Sequence, residues 1–157
     1  MKRNLTGWAE TEIETTPRRA WEFVSDVTNY DRWVKGLTEP RRTSPDPFGP
    51  GSTYASKYTY GGRTHELTYE VTEYVAPQRM SVRSTSGPCP FEGTTTVEPA
   101  AAGARVRQQI TFGADGAFAS FLFMILGPFL RWCTKKQLRK ELERLREAIL
   151  RGGGKPT

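Results

Sequence analysis

The fold is decided by the stretch Ile13–Trp33, whose sequence is IETTPRRAWEFVSDVTNYDRW. Thr16 followed by Pro17 is typical of a helix start, because a threonine caps free amides and the missing N–H of proline costs nothing in the first turn. The apolar side of this helix begins with Trp21. A second short helix is predicted over Asp26–Trp33, so two small helices follow one another closely.

The residues on either side of this stretch predict β-structure and then a loop. Leu5–Thr15 alternates, with Ala9 and Ile13 on one side and three glutamates on the other. This period of two is typical of a strand with one solvated face. Downstream, four prolines between residues 40 and 50 predict a long loop or an edge region.

The middle of the chain predicts an antiparallel meander. Tyrosine and serine alternate with other residues from Gly51 to Tyr60, and Gly61-Gly62 closes a hairpin with the next strand, Arg63–Val75. Three further strands are predicted at Arg79–Thr85, Pro90–Val97 and Arg105–Phe112. Because strands and helices do not alternate, the predicted class is α+β.

The last third of the chain predicts helix in two phases. An apolar series runs from Phe118 to Trp132, and a second stripe follows it, made of Leu138, Leu142, Leu145 and Ile149. At 100° per residue the two stripes point in nearly opposite directions, and Gly127-Pro128 lies at the change. We therefore expect a short apolar helix or ordered loop, and then a long amphipathic helix that begins near Pro128.

Composition and charge narrow the function classes. The chain has 157 residues, 36% apolar and 25% charged, which fits a single globular domain at 1–151 with a flexible tail at 152–157. Residues 1–127 hold 14 basic and 14 acidic side chains, so the net charge of +6 comes from the last thirty residues. This distribution disfavours nucleic acid as a partner, because basic residues are not spread over a reading surface. Two cysteines and the lack of an apolar N-terminal segment predict a cytoplasmic protein.

Most catalytic signatures are missing from the sequence. It contains no phosphate-binding glycine loop, nucleophile-elbow serine or paired-histidine zinc motif. The single histidine, His65, excludes a multi-histidine metal site, so neither a metal nor a cofactor is expected. His65 is also the one imidazole available as a general base, which makes it the candidate catalytic residue.

Several polar side chains share the apolar side of the predicted strands. They are Tyr54, Tyr58, Tyr60, His65, Tyr69 and Gln108. An unpaired buried polar group costs about 1–3 kcal/mol. Such a set therefore predicts either partners at the rim or a cavity with a few orienting polar groups, as a small-molecule pocket has.

Several stretches resemble the START-like helix-grip superfamily (SRPBCC), in particular its polyketide cyclase/dehydrase and lipid-transport branch. The resemblance covers about residues 7–150 and rests on five stretches: Ile13–Asp26, Asn29–Trp33, Glu73–Met80, Gly103–Val106 and Leu138–Ile149. It implies a curved antiparallel sheet of about seven strands that grips a long C-terminal helix, with two short helices after the first strand. It also implies a hydrophobic tunnel between the sheet and the helix.

The resemblance implies that the protein binds a hydrophobic small molecule (polyketide-, lipid- or aromatic-like) in that tunnel, with cyclisation or dehydration as an associated activity. The expected ligand-binding residues are Trp33, Tyr54, Tyr58, Tyr60, His65, Tyr69, Gln108, Phe121, Ile125 and Phe129. The alternative is a membrane-surface or protein-docking module, which would use the uncharged segment 116–130 and the basic C-terminal helix. The sequence leaves the oligomeric state open.

Overall fold

The computed structural model describes residues 3–34, 36–45, 48–60, 62–86, 90–114 and 135–151. The first elements are strand β1 (Arg3–Ile13), helix α1 (Pro17–Val24) and a 3₁₀ helix (Val27–Arg32). Six strands follow: β2 (Leu37–Arg42), β3 (Thr53–Tyr60), β4 (Arg63–Val75), β5 (Arg79–Ser86), β6 (Phe91–Ala100) and β7 (Gly103–Ala114). Residues 135–150 form the last helix, α2.

The strands form one antiparallel sheet in the order β1-β7-β6-β5-β4-β3-β2. The predicted α+β fold, with about seven strands and two short helices after the first strand, is confirmed. The proline-rich region predicted as a loop or edge contributes strand β2, which lies at the edge of the sheet. Pro40 is tolerated there because an edge strand has one side without ladder hydrogen bonds.

The two short helices form as the sequence predicts. The Thr16 hydroxyl accepts a hydrogen bond from the Arg19 amide at 3.1 Å, and Pro17 occupies the first helical turn. Asp26 caps the 3₁₀ helix, and its carboxylate accepts a hydrogen bond from the Thr28 amide at 3.0 Å. The side-chain amide of Asn29 then donates to the Phe23 carbonyl at 3.2 Å, which joins the two helices.

Side chains of the inner face of the sheet, the face that carries its buried residues, form one core with α2. The predicted stripe of α2 is buried in that core: Leu138, Leu142, Leu145 and Ile149. This confirms the amphipathic C-terminal helix over its described length. Its predicted start near Pro128 lies outside the described residues, as do the apolar segment 116–130 and the tail 152–157.

Gly103 shows why the start of β7 needs a glycine. Its φ is +136°, and a Cβ there would collide with the backbone of Thr15 and lie 2.9 Å from the Ile13 carbonyl oxygen. The end of β1 therefore packs directly on the turn into β7. On the same side of the molecule, the Arg146 guanidinium of α2 holds both oxygens of Glu14, at 2.7 and 2.8 Å.

Candidate ligand-binding site

The inner face carries a connected group of seven rings, which we call the aromatic cluster: Trp21, Tyr30, Trp33, Phe48, Tyr54, Tyr69 and Tyr74. At its centre Tyr69 is stacked between Tyr30 and Tyr54. The ring centroids are 6.5 and 5.9 Å apart and the interplanar angles are 6° and 15°. Trp33 packs edge-on against Tyr30 at 5.4 Å. Contacts of this kind add about 0.5–1.5 kcal/mol each beyond simple burial, so the cluster is a stable element of the interior.

Strand register and the 3₁₀ helix together build this stack. Tyr54 and Tyr69 lie directly opposite one another on β3 and β4, and both point to the inner face. Tyr30 and Trp33 come from the 3₁₀ helix and the residue after it, and this helix contacts β2. The first helical segments therefore position two rings that the strands alone do not supply.

A β-bulge in β4 brings a further ring to the inner face. Val71 pairs with Val82 and Glu73 pairs with Ser81, so Thr72 has no partner and the alternation reverses after it. Tyr74 consequently joins the inner face. There it contacts Trp21 at 5.6 Å and Phe48 at 4.8 Å.

Phe48 reaches the cluster from the loop between β2 and β3. The Ser52 hydroxyl accepts a hydrogen bond from the Gly49 amide at 3.0 Å, and the Ser52 backbone carbonyl accepts one from the Val71 amide at 2.8 Å. Arg42 lies over the Phe48 ring, with its guanidinium carbon 5.5 Å from the centroid. This loop is therefore anchored to β4 while its phenyl ring packs on the cluster.

Three polar atoms beside these rings are buried without a hydrogen-bond partner in the described part of the chain. They are Trp33 Nε1, Ser56 Oγ and Tyr69 OH. Ser56 follows Tyr54 by two residues on β3 and points to the same face, so its hydroxyl lies near the stack. The indole N–H is a donor, whereas the two hydroxyls can donate and accept.

The stack also perturbs the acidity of its hydroxyls. Burial raises the pKa of Tyr69 to about 12, although the nearby Ser56 hydroxyl acts in the opposite direction. The two hydroxyls are close, but no hydrogen bond of ordinary geometry joins them. Burial likewise raises the pKa of Tyr30 well above its usual range, and Tyr69 and Tyr54 raise it further. Both phenols are therefore protonated at neutral pH and remain hydrogen-bond donors.

The expected ligand-binding residues that the structure describes do not form one group but lie in different parts of the sheet. Trp33, Tyr54 and Tyr69 belong to the aromatic cluster and are 1%, 4% and 1% exposed. Tyr58 and His65 are half-buried and face one another across β3 and β4. Since His65 precedes Tyr69 by four residues on an extended strand, it lies about 13 Å from it along β4.

Gln108 lies on the other half of the sheet. Its side-chain oxygen accepts a hydrogen bond from the buried Thr95 hydroxyl on β6. Tyr60 ends β3, and its side chain lies outside the described part of the structure, as do Phe121, Ile125 and Phe129 altogether.

Sequence reasoning did not select five residues in or beside the aromatic cluster: Trp21, Tyr30, Phe48, Ser56 and Tyr74. Ser56 had a usable signal, because it shares the alternation of Tyr54 and Tyr58. Simple alternation assigns Tyr74 to the wrong face of the sheet, because it does not include the bulge. Tyr30 and Phe48 come from a helix and a loop, whose contacts with the sheet depend on tertiary packing.

A curled antiparallel sheet that covers an aromatic interior and packs against a C-terminal helix defines the helix-grip class of proteins. The chain belongs to the polyketide cyclase / dehydrase and lipid transport family, whose model matches residues 8–149. This membership supports ligand binding or cyclisation as the activity of the fold.

Individual proteins and solved structures are also similar to this chain. An uncharacterized protein of Mycobacterium tuberculosis is 22% identical over 137 residues, which are 87% of this chain and 92% of the relative. The crystal structure of TTHA0849 from Thermus thermophilus has a TM-score of 0.72 at 16% identity and covers 97% of this chain and 100% of its own. That of the Zhui aromatase/cyclase from a Streptomyces species has a TM-score of 0.68 at 11% identity and covers 98% and 100%. These structural similarities establish the shared fold.

Two negative findings apply to the described residues. None of their helices is both long and apolar enough to span a bilayer. Their histidine, aspartate and glutamate side chains do not form a group of three that could hold a metal ion.

Proposed function

We propose that the protein binds a hydrophobic small molecule of polyketide-, lipid- or aromatic-like structure between the inner face of the sheet and the C-terminal helix. The ligand's apolar part would pack on the aromatic cluster. One of its oxygen atoms would pair with the polar atoms beside the stack. The family membership supports this class of ligand.

The observation that carries the proposal is that three buried atoms, Trp33 Nε1, Ser56 Oγ and Tyr69 OH, have no hydrogen-bond partner among the described residues. Most buried polar groups in proteins have a partner, and an unmet group costs about 1–3 kcal/mol. Three such atoms beside one aromatic stack are therefore unfavourable unless something pairs with them. A carbonyl or hydroxyl oxygen on an otherwise apolar ligand would do so, and it would also fix the ligand's orientation.

The first experiment is mass analysis of the protein purified from its own host, under native and denaturing conditions. A discrete extra mass in the native spectrum alone would establish a noncovalent ligand and provide it for binding studies. A clean apo mass, together with no binding to a panel of fatty acids, sterols and aromatic polyketides, would contradict the proposal.

Variants then test the orienting role of the Tyr69 hydroxyl. Tyr69→Phe keeps the stacked ring but removes the hydroxyl, and we expect it to weaken binding about fivefold to tenfold. Ser81→Ala is the matched control, because it removes a hydroxyl that bonds to Thr94 on the opposite face of the sheet. Equal affinities of Tyr69→Phe and wild type would exclude this hydroxyl as the orienting group.

The catalytic form of the proposal assigns proton transfer in a cyclisation or dehydration to His65. Its imidazole would act at an enolisable carbon, about 13 Å along β4 from the Tyr69 anchor. An elongated substrate is needed to reach both places, which an extended acyl or polyketide chain provides. Near-unchanged turnover of the identified substrate by His65→Ala would remove His65 from the mechanism.

The alternative function, docking to a membrane surface or a protein, remains a prediction. The apolar segment 116–130 on which it depends lies outside the described residues. The described part of the basic helix exposes Lys135, Lys136, Arg139 and Lys140. Flotation with anionic vesicles at low salt tests this alternative, and no binding would discard its membrane form.

A further inference from the structure

The outer face of the sheet, opposite the aromatic cluster, carries a shallow polar depression of about 240 Å³. It is lined by Arg79 of β5, Thr94 and Thr96 of β6, and Arg107 and Gln109 of β7. Thr96 pairs with Arg79 on one side and with Arg107 on the other. Since neighbouring strands are about 4.8 Å apart, the Cα atoms of Arg79 and Arg107 lie roughly 10 Å from each other, with Thr96 between them. Two guanidinium groups can therefore approach one small group between them.

Arg107 contributes a positive charge that has no acidic partner in the described part of the chain. Its guanidinium carbon lies 4.2 Å from the centroid of the Trp8 ring, which is 41% exposed. Lys135 of α2 approaches the same ring, with Nζ 5.4 Å from the centroid. The indole thus holds two cations at the edge of the depression, where a cation–π contact orients them without neutralising their charge.

Two nearby glutamates, Glu98 and Glu12, are engaged with a different arginine. Arg105, in the next row of β7, forms ion pairs with Glu98 at 3.0 Å and with Glu12 at 3.8 Å. Its hydrogen bond to Glu98 and the charges of Glu98, Glu10 and Glu12 raise the pKa of Arg105 above its usual value. Although Glu10 lies opposite Arg107 in register, no ion pair joins them among the described residues. Glu12, Arg105 and Glu98 therefore form one row across the outer face, and the adjacent row holds Glu10, Arg107, Thr96 and Arg79.

Arg79 forms the opposite rim of the depression, and an ion pair with Glu73 holds its side chain in position. Arg79 donates from its Nε to Glu73, its neighbour on β4. This bond leaves the two terminal NH₂ groups of Arg79 for a ligand. The floor adds the Thr96 hydroxyl and the Gln109 amide, both of which can donate.

We propose that this depression is an oxyanion site that binds the phosphate group of a ligand, with Arg107 and Arg79 on either side and Thr96 beneath. Donors that approach from two sides suit a tetrahedral phosphate, since its oxygens point in several directions, whereas a carboxylate offers two oxygens in one plane. The site lies on the opposite face from the aromatic cluster. It goes beyond the proposed function and does not depend on it.

The test is a titration of isotope-labelled full-length protein with inorganic phosphate at constant ionic strength, followed by NMR. We expect saturable shifts of the Trp8 indole and the Thr96 amide. Arg107→Gln should weaken binding about tenfold, because it removes a charge-assisted hydrogen bond. Arg105→Gln is the matched control, since it removes the same charge from the same strand one row away, and it should change the affinity less than about twofold.

Two further ligands distinguish the source of the phosphate. Equal Arg107-dependent binding of glycerol 3-phosphate and of vesicles containing phosphatidate would indicate a free phosphate ester. Arg107-dependent binding that is much tighter to the vesicles than to glycerol 3-phosphate would indicate a lipid headgroup, and both results support the site. It is overturned if no probe gives saturable shifts at Trp8 and Thr96, or if Arg107→Gln and Arg105→Gln weaken binding equally.

Discussion

Alkaline pH is expected to destabilise the fold through Tyr69. Burial raises the pKa of this phenol from 10.0 to about 12 in the folded protein. Between these values the unfolded chain loses its proton while the folded chain keeps it. Fewer protons are then bound in the unfolded state, so the free energy of unfolding falls as the pH rises. The contribution of Tyr69 is complete below about pH 10 and is lost as the pH approaches about 12.

The size of the loss follows from the difference between the two pKa values. At about pH 11, midway between them, Tyr69 alone lowers the free energy of unfolding by about 1.4 kcal/mol, and the loss approaches about 2.7 kcal/mol above pH 12. Tyr30, whose pKa is also raised by burial, should lower the free energy of unfolding in the same alkaline range.

Urea unfolding of the wild type and of Tyr69→Phe, from about pH 8 to about pH 11, measures this contribution. The difference between the two proteins removes the effects of lysines and of other tyrosines, because both chains share them. Over this interval Tyr69→Phe should lose about 1.4 kcal/mol less stability than the wild type. Equal losses would refute the reasoning, since Tyr69 would then titrate in the folded protein as it does in the unfolded chain.

Three further variants test the framework: the packing of α2, the turn into β7, and the ion pair between α2 and the end of β1. Leu142→Ala should cost about 2–5 kcal/mol of unfolding free energy in urea, because it leaves a cavity where α2 joins the core, whereas Leu150→Ala, at an exposed position of the same helix, should cost far less. Gly103→Ala should cost about 2–4 kcal/mol in the same assay, because its Cβ meets backbone, and wild-type stability would show that the turn can adjust. Arg146→Gln should raise the pKa of Glu14 toward its ordinary value in a carboxyl NMR titration, since the hydrogen bond from Arg146 is the main cause of its lowering, and an unchanged pKa would contradict the ion pair.

Local signals were sufficient to predict most of the framework. Alternation placed Ala9 and Ile13 inside, and the structure buries both. The Thr16-Pro17 start of α1 and the stripe that includes Leu142 were also readable, because caps and helical periodicity act within a few residues. Strand β2 was less readable, since its proline and its short length obscure the alternation.

The composition of the site was less predictable than the framework. Tyr54 and Tyr69 follow from alternation on neighbouring strands, and their direct pairing follows from the hairpin. Tyr30 and Phe48 could not be assigned from sequence, because a helix and a loop bring them over the sheet, and their contacts depend on tertiary packing. The role of His65 in the site remains a prediction.

The bulge at Thr72 determines which face of the sheet carries Glu73 and which carries Tyr74. A regular strand would place Glu73 on the inner face and Tyr74 on the outer face, because successive side chains alternate. With one unpaired residue, Glu73 instead points outward and pairs with Arg79 at the rim of the depression, while Tyr74 joins the aromatic cluster. One inserted residue therefore keeps a carboxylate out of an apolar interior and also positions a cation on the outer face. The bulge thus contributes to both faces of the sheet, through Tyr74 in the aromatic cluster and through Glu73 beside the proposed oxyanion site.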